Sequence, residues 1–231
     1  MNAETVAVIG GTGDLGMGLA LRWARAGRHV VIGSRVKERA IATADKCRSL
    51  IGADIQGSEI RVEGLENPEA VTSAPLVILT VPFEAQAATL AGLKGRFRPG
   101  QILVSCTVPL ESAVGGSPSH LLGVWSGSAA ELAARQVPAD VPAVAAFHNA
   151  SAHILQNLSE PVECDIIVCG DDAAARRNLE PWVEAIPNCR YVDGGKLENA
   201  RIVESLTALL VGINRRYKVR SAGIRLTGVP L

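Results

Sequence analysis

The residues with the clearest chemical potential are Gly11, Thr12, Gly13, Asp14, Leu15 and Gly16. They spell GxGxxG directly after the apolar run Val6-Ala7-Val8-Ile9 and open a segment, 14–26, of helical period. A strand that runs into glycines and out into a helix builds a phosphate cradle. The glycines permit a tight turn and a close backbone approach to a pyrophosphate, and the helix N-terminus stabilises its charge. Thr12 can add a hydroxyl to the same phosphate. A second group, Ser34 and Arg35, follows the next strand-like run, 29–33. A carboxylate there would bind the ribose diol of NAD, but no acid occurs until Glu38. A hydroxyl beside a guanidinium suits a 2′-phosphate instead, with Lys37 and Arg39 as further cations, so the expected nucleotide is NADP(H).

A third group stands near the other end, where 197–217 carries the longest helical pattern. Ile202, Val203, Leu206, Leu209, Leu210 and Ile213 recur at helical spacing and are expected to bury. Arg201, Ser205, Ala208 and Gly212 form a neighbouring stripe, polar at one end and small beyond it. Such a stripe can seat a flat ring or admit another helix, and spacing alone leaves both open. Arg215, Arg216, Lys218, Arg220 and Arg225 follow, five cations within eleven residues and no acid among them. They make either a solvated face or a cradle for an extended anion.

The glycine segment also satisfies a second fingerprint, TGxxGxG over Thr12 to Gly18, that of the short-chain dehydrogenases. Those enzymes protonate a carbonyl with a tyrosine assisted by a lysine four residues later. Here the tyrosines are Tyr191 and Tyr217, and four residues on stand Gly195 and Ser221, so that mechanism has no support. Ser105 and Cys106 close a strand without a GxSxG elbow and read as packing residues. A dinucleotide site without a proton-donating side chain points to a hydride acceptor that is itself a cofactor. Such a reaction needs two rings held face to face, with reacting carbons about 3–3.5 Å apart.

The elements that must position these groups are legible as alternation. Strand-like runs at 5–9, 29–33, 76–81 and 101–105 alternate with helix-like segments at 14–26, 36–50 and 83–94, the pattern of a parallel sheet covered by helices. A Gly/Ser/Pro-rich passage, 115–128, precedes a helix at 128–136, strands at 143–147 and 165–169 and a helix at 172–186, read as extensions of the same sheet. The expected fold is therefore α/β, a Rossmann-type mostly parallel sheet with helices on both faces plus a small C-terminal helical annex. Residues 1–192 form the nucleotide-binding domain and 193–231 the annex.

Composition removes other classes. With 23 basic and 23 acidic residues no net field draws the chain to nucleic acid or an anionic membrane, and aromatics at 3% leave few stacking platforms. No apolar run approaches the roughly 18 residues of a membrane span. The first residues lead straight into Thr5-Val6-Ala7-Val8-Ile9 without a basic region or cleavage site, so a secretory signal is not expected and the cytoplasm is the expected compartment. Cys47, Cys106, Cys164, Cys169 and Cys189 form no CxxC and read as buried thiols in a reducing compartment, with no metal site. The apolar late helix makes a homodimer the expected assembly.

Taken together, GGTGDLGMGLALRWARAG with VVIGSR, LTVP, AAFHNASA, VCGDD, NARIVESLT and INRRYK resemble the coenzyme F420-dependent NADP reductases from about Thr5 to the C-terminal tail. The resemblance implies reversible hydride transfer between NADPH and the deazaflavin ring of F420. It implies that Thr12, Ser34 and Arg35 hold the NADP phosphates and that His148, Arg201, Ser205 and Thr207 contact the deazaflavin side, although Thr207 lies off the stripe on an ideal helix. It also implies that the basic tail lies near the phosphate and glutamate chain of F420. Val81 and Pro82, at a strand end, are placed to back the nicotinamide. Ala150 and the passage 111–127 motivate an alternative, an NADPH-dependent reductase of a pterin or small imine. A non-catalytic NADP-sensing protein is the reading from another class.

Overall fold

The computed structural model describes residues 5–52 and 59–229. β1 (Thr5–Ile9) leads into α1 (Asp14–Arg25), β2 (His29–Ser34), α2 (Lys37–Gly52), β3 (Val62–Glu66), α3 (Asn67–Ser73), β4 (Leu76–Leu79), α4 (Phe83–Gly92) and β5 (Ile102–Ser105). A long connection is followed by α5 (Ala129–Ala134), β6 (Ala143–Ala145), α6 (Ala152–Gln156), β7 (Cys164–Gly170), α7 (Ala173–Arg177), α8 (Glu180–Glu184), β8 (Cys189–Asp193) and α9 (Ala200–Tyr217). Among the described residues these strands form one sheet in the order β3-β2-β1-β4-β5-β6-β7-β8, parallel except where β6 meets β7. The order reverses between β1 and β4, and the carboxyl ends of that pair open the crevice where such sheets bind nucleotides.

β3 and β8 have no counterpart in the sequence expectation, for one reason. They are the two edge strands, half-exposed, and their segments VEGLE and CRYVD lack the apolar run that marks the buried strands. The expected helix 172–186 is two short helices, because Pro181 sits in the first turn of α8. The central strands bury on both faces: Val6 and Val8 join a cluster with α1 and α2, Ala7 and Ile9 one with α3. All five cysteines are free and buried. Among the described residues no helix is long and apolar enough to cross a membrane.

The most consequential packing is between α1 and α6. α6 has five residues, so most of its carbonyls lack a partner within the helix. Arg22 supplies one: buried on α1, its guanidinium donates to the carbonyls of Leu155 at 2.9 Å, Ile154 at 2.6 Å, Asn157 at 2.5 Å and Glu160 at 2.8 Å. Burial, then the neighbouring Arg25 charge, lower its pKa from the ordinary arginine value, and Arg25 itself donates to the Leu158 carbonyl. Next to it on the same turn, Trp23 meets Phe147 and Trp182 edge to face at 5.7 and 5.6 Å, and its indole N–H donates to the Trp182 carbonyl at 2.7 Å.

α9 buries a different face from the one its apolar spacing suggests. Ala200, Val203, Glu204, Ala208 and Leu210 are inside, whereas Ile202 and Leu209 are 62% and 57% exposed. Small Ala200 joins Val203 in close packing with Ala130, Ala143, Ala145 and Cys169. Glu204 is drawn in because the first turn of α5 needs acceptors: its carboxylate takes the amides of Ala129 at 2.9 Å and Ala130 at 3.0 Å. Burial outweighs those two bonds and pushes the carboxyl up from 4.5 to about 7.

Replacing Arg22 by Met should destabilise the protein by about 3 kcal/mol, since four carbonyls lose a charged donor, the buried Leu155 carbonyl among them. Replacing it by Lys should recover little, because an ammonium lacks the planar fork; urea denaturation measures both. Glu204 keeps its proton to higher pH folded than unfolded, so its contribution to stability falls as pH rises from 4.5 to about 7 and is level outside that window. Denaturation midpoints of Glu204→Gln across this range should lack that decline, which amounts to a few kcal/mol.

Candidate nucleotide and ring site

The phosphate turn is built by Gly10 and the expected glycines in different roles. Gly10 has φ +78°, and a Cβ there would lie 2.7 Å from Val81 Cγ1, so glycine is needed to pass β4. Gly11 donates to the Val8 and Gly33 carbonyls, both at 3.1 Å, which closes the turn onto β2. Gly13 is the N-cap of α1, and no side chain caps that end. Its amides are left for an anion. Gly16 packs against Gly11 and Thr80, where a Cβ would come within 2.6 Å of Thr80 Oγ1. Leu15 packs against the core beneath.

Two cavities run from this turn across the sheet end. The first, 340 Å³, is lined by Thr12, Gly13, Asp14, Ser34, Arg35, Arg39, Val81 and Pro82 among others. The second, 640 Å³, shares Ser34, Arg35 and Pro82 and extends over α3 and α4. Eight of the residues expected to bind the nucleotide therefore face one trough. Ser34 Oγ accepts from the Val36 amide at 3.2 Å, which fixes the β2 end, and the Arg35 and Arg39 side chains are exposed beside it. Lys37 turns away, its Nζ 3.6 Å from Glu69.

Asn67 is a polar lining residue that the sequence did not reveal. It is 7% exposed, borders both cavities, and its Oδ1 is buried without a hydrogen-bond partner. Its only sequence signal is a place at the start of α3, after an edge strand that the pattern does not reveal. Thr80 and Thr107 were also missed; Thr107 Oγ1 donates to the Val81 carbonyl at 3.1 Å and stiffens the trough end.

His148 follows β6. Phe147 before it has φ +65°, unusual for an aromatic and costing about 1–3 kcal/mol, held by its contact with Trp23. His148 is 5% exposed, both ring nitrogens lack partners, and burial pushes its pKa down to about 4, so the imidazole is neutral. Thr207 Oγ1 donates to its carbonyl at 2.6 Å, which ties α9 to this turn. Asn149 points the other way, donating to the Asp165 carbonyl at 2.7 Å. Arg201 and Ser205 form a separate pair. Arg201 Nε donates to the Glu198 carbonyl at 2.7 Å and Nη2 lies 3.7 Å from Glu131, while Ser205 Oγ donates to the Arg201 carbonyl at 2.6 Å.

This arrangement has relatives. Residues 5–109 match the family model described as NADP oxidoreductase, coenzyme F420-dependent. The F420-dependent NADP reductase of Methanothermobacter thermautotrophicus is 47% identical over 226 residues, 97% of this chain and 95% of that protein. The enzyme of the same name from Methanocaldococcus jannaschii is 40% identical over 98% of this chain and 99% of its own length. In fold, the chain superimposes with TM-score 0.79 on a putative F420-dependent NADP reductase from an Arthrobacter species, at 22% identity, covering 96% of this chain and 98% of that one. An imine reductase from Bacillus cereus shares the fold more distantly, at TM-score 0.56 and 15% identity, with 93% of this chain matching 60% of that one. With such identity over nearly its whole length, the chain belongs to the F420-dependent NADP reductase family.

Proposed function

We propose that this protein transfers a hydride reversibly between NADPH and coenzyme F420, with one proton exchanged with solution. The observation that carries the reading is the trough at the sheet end, supported by the buried histidine that follows β6 at the same end. A nucleotide trough closes at Val81 and Pro82, and a buried histidine with two unpartnered nitrogens is held in place by α9. When bound, the two coenzymes supply the hydride donor and acceptor.

The chain's residues bind, orient and exclude water. Ser34, Arg35 and Arg39 take the 2′-phosphate, and the amide end of α1 with Thr12 takes the pyrophosphate. The unpartnered Asn67 Oδ1 is an acceptor suited to a ribose hydroxyl. Val81 and Pro82 back the nicotinamide. His148, neutral, offers one N–H to the deazaflavin, with Thr207 fixing its backbone and Arg201 and Ser205 before Thr207 on α9. Residues 1–192 hold the nucleotide and 193–231 complete the deazaflavin side, in a cytoplasmic enzyme. The exposed Ile202 and Leu209 on α9 support a homodimer, since such a face is costly in water.

Incubation with NADPH and F420 should bleach deazaflavin absorbance; absence of turnover removes this reading, and turnover of a pterin or imine in its place supports the alternative. Arg35→Ala should raise KM for NADPH by about tenfold or more with little effect on F420, and Arg201→Ala the reverse. Because His148 stays neutral, the ratio of wild-type to His148→Asn kcat/KM should be constant between about pH 5 and 8. Leu209→Glu should shift the species seen by size-exclusion chromatography from dimer to monomer.

A further inference from the structure

Ala129, at the start of α5, is held by two helices at once. Its amide donates to the Glu204 carboxylate of α9 at 2.9 Å, and its carbonyl accepts from Gln86 Nε2 of α4 at 2.9 Å. The Ala130 amide donates to the other Glu204 oxygen at 3.0 Å. All of these side chains are inside the protein, Gln86 completely.

Each of the two partners stands about one helical turn from a residue of the proposed ring site. Gln86 is four residues past Pro82, which is the N-cap of α4 and lines both cavities. Glu204 is three residues before Thr207, whose hydroxyl donates to the His148 carbonyl at 2.6 Å. An unbroken path of helix and hydrogen bond therefore runs from Pro82 through α4, Ala129 and α9 to His148. It lies on the sheet face that carries α3, α5 and α9, whereas Arg22 and Trp23 hold the His148 segment from the opposite face.

Neither side chain is the choice that stability alone would make. Burial pushes the Glu204 carboxyl up to about 7, and Gln86 Oε1 is buried without a partner. A local side chain serves a helix start at lower cost, as Ser128 Oγ does in accepting the Glu131 amide at 3.0 Å. A carboxylate reaching over from α9 does something a local cap does not: it fixes the rotation and height of that helix against α5. Gln86 does the same for α4. Polar side chains kept inside against their local cost point to a demand of the site.

We propose that Glu204 and Gln86 are positioning residues for hydride transfer, acting through Ala129 to set the separation between the nicotinamide wall at Pro82 and His148. The inference rests on NADPH and F420 being the reacting pair. Neither residue touches a coenzyme. Reacting carbons about 3–3.5 Å apart tolerate little drift, and a misplacement of about 1 Å costs on the order of a hundredfold in rate. Loosening either bond lets α4 or α9 shift by part of that distance, so the transfer step suffers and the binding of each coenzyme does not.

The test follows single-turnover reduction of F420 by NADPH, and by NADPH deuterated at the transferred position, in wild type, Glu204→Gln, Gln86→Met and the double variant. The first substitution keeps one of two acceptors, and the second keeps the volume without the donor. Each single variant should slow hydride transfer by about tenfold while both KM values stay within about twofold of wild type. The primary isotope effect should depend more steeply on temperature than in wild type, as a looser donor–acceptor distance requires. Because both residues act on Ala129, the double variant should be little slower than the slower single one. Unchanged transfer rates with only a lower denaturation midpoint overturn the proposal, as do raised KM values at an unchanged rate. If Glu204→Gln does not fold, Gln86→Met decides alone, since it leaves both Glu204 bonds in place. Wild-type protein that does not reduce F420 overturns the co-substrate reading and this inference with it, whereas wild-type turnover with unaffected variants overturns the inference alone.

Discussion

The structure depends on one helix doing two jobs. The first turn of α1 starts at Gly13 with no side-chain cap, which leaves its amides open to the proposed phosphate, and its stability has to come from elsewhere. It comes from the third turn, where Arg22 grips carbonyls at and just beyond the end of α6 and Trp23 packs against Phe147 and Trp182. The same contacts that free the nucleotide end therefore fix the segment carrying His148. Gln156 closes the circuit by donating to the Asp14 carbonyl at 2.8 Å. The glycine turn and the segment carrying His148 are thereby held in one frame, as the proposed reaction, which relies on positioning, requires.

Buried charge is used in three places, each time to secure a segment without regular structure around it. Arg22 satisfies a helix C-terminus, Glu204 satisfies a helix N-terminus, and Asp165 anchors the tail. The electrostatic outcomes differ because the partners differ. Glu204 has only neutral amides and is pushed toward protonation, whereas Asp165 has two guanidiniums and remains ionised. Neither ring nitrogen of His148 has a partner, so burial alone acts on it and keeps the imidazole neutral.

Legibility follows the range of the interaction that decides each feature. The buried strands and α1 show in the sequence because burial on both faces demands continuous apolar runs and the glycine turn is local. The edge strands β3 and β8 do not, since half-exposed backbone tolerates polar residues. Ser34, Arg35 and Thr12 lie next to recognisable strand ends and reach the trough together. Asn67 does not follow such a marker, and Lys37, one residue from Val36, turns to Glu69 because α3 presents a carboxylate there.

By itself the sequence determined the nucleotide class and the sheet that binds it, because both are written in contiguous residues whose backbone geometry is local. The tertiary structure decided which face of α9 is inside. Apolar spacing favours Ile202 and Leu209, but the unsatisfied amides of α5 draw Glu204 inward and rotate those two out. It also decided that Thr207 reaches the His148 carbonyl and that Arg225 belongs to Asp165 while Arg215 and Arg220 stay free of carboxylate partners among the described residues. Each of these choices joins residues far apart in the chain, where a side chain's partner is set by what the fold leaves unsatisfied nearby and cannot be read from spacing.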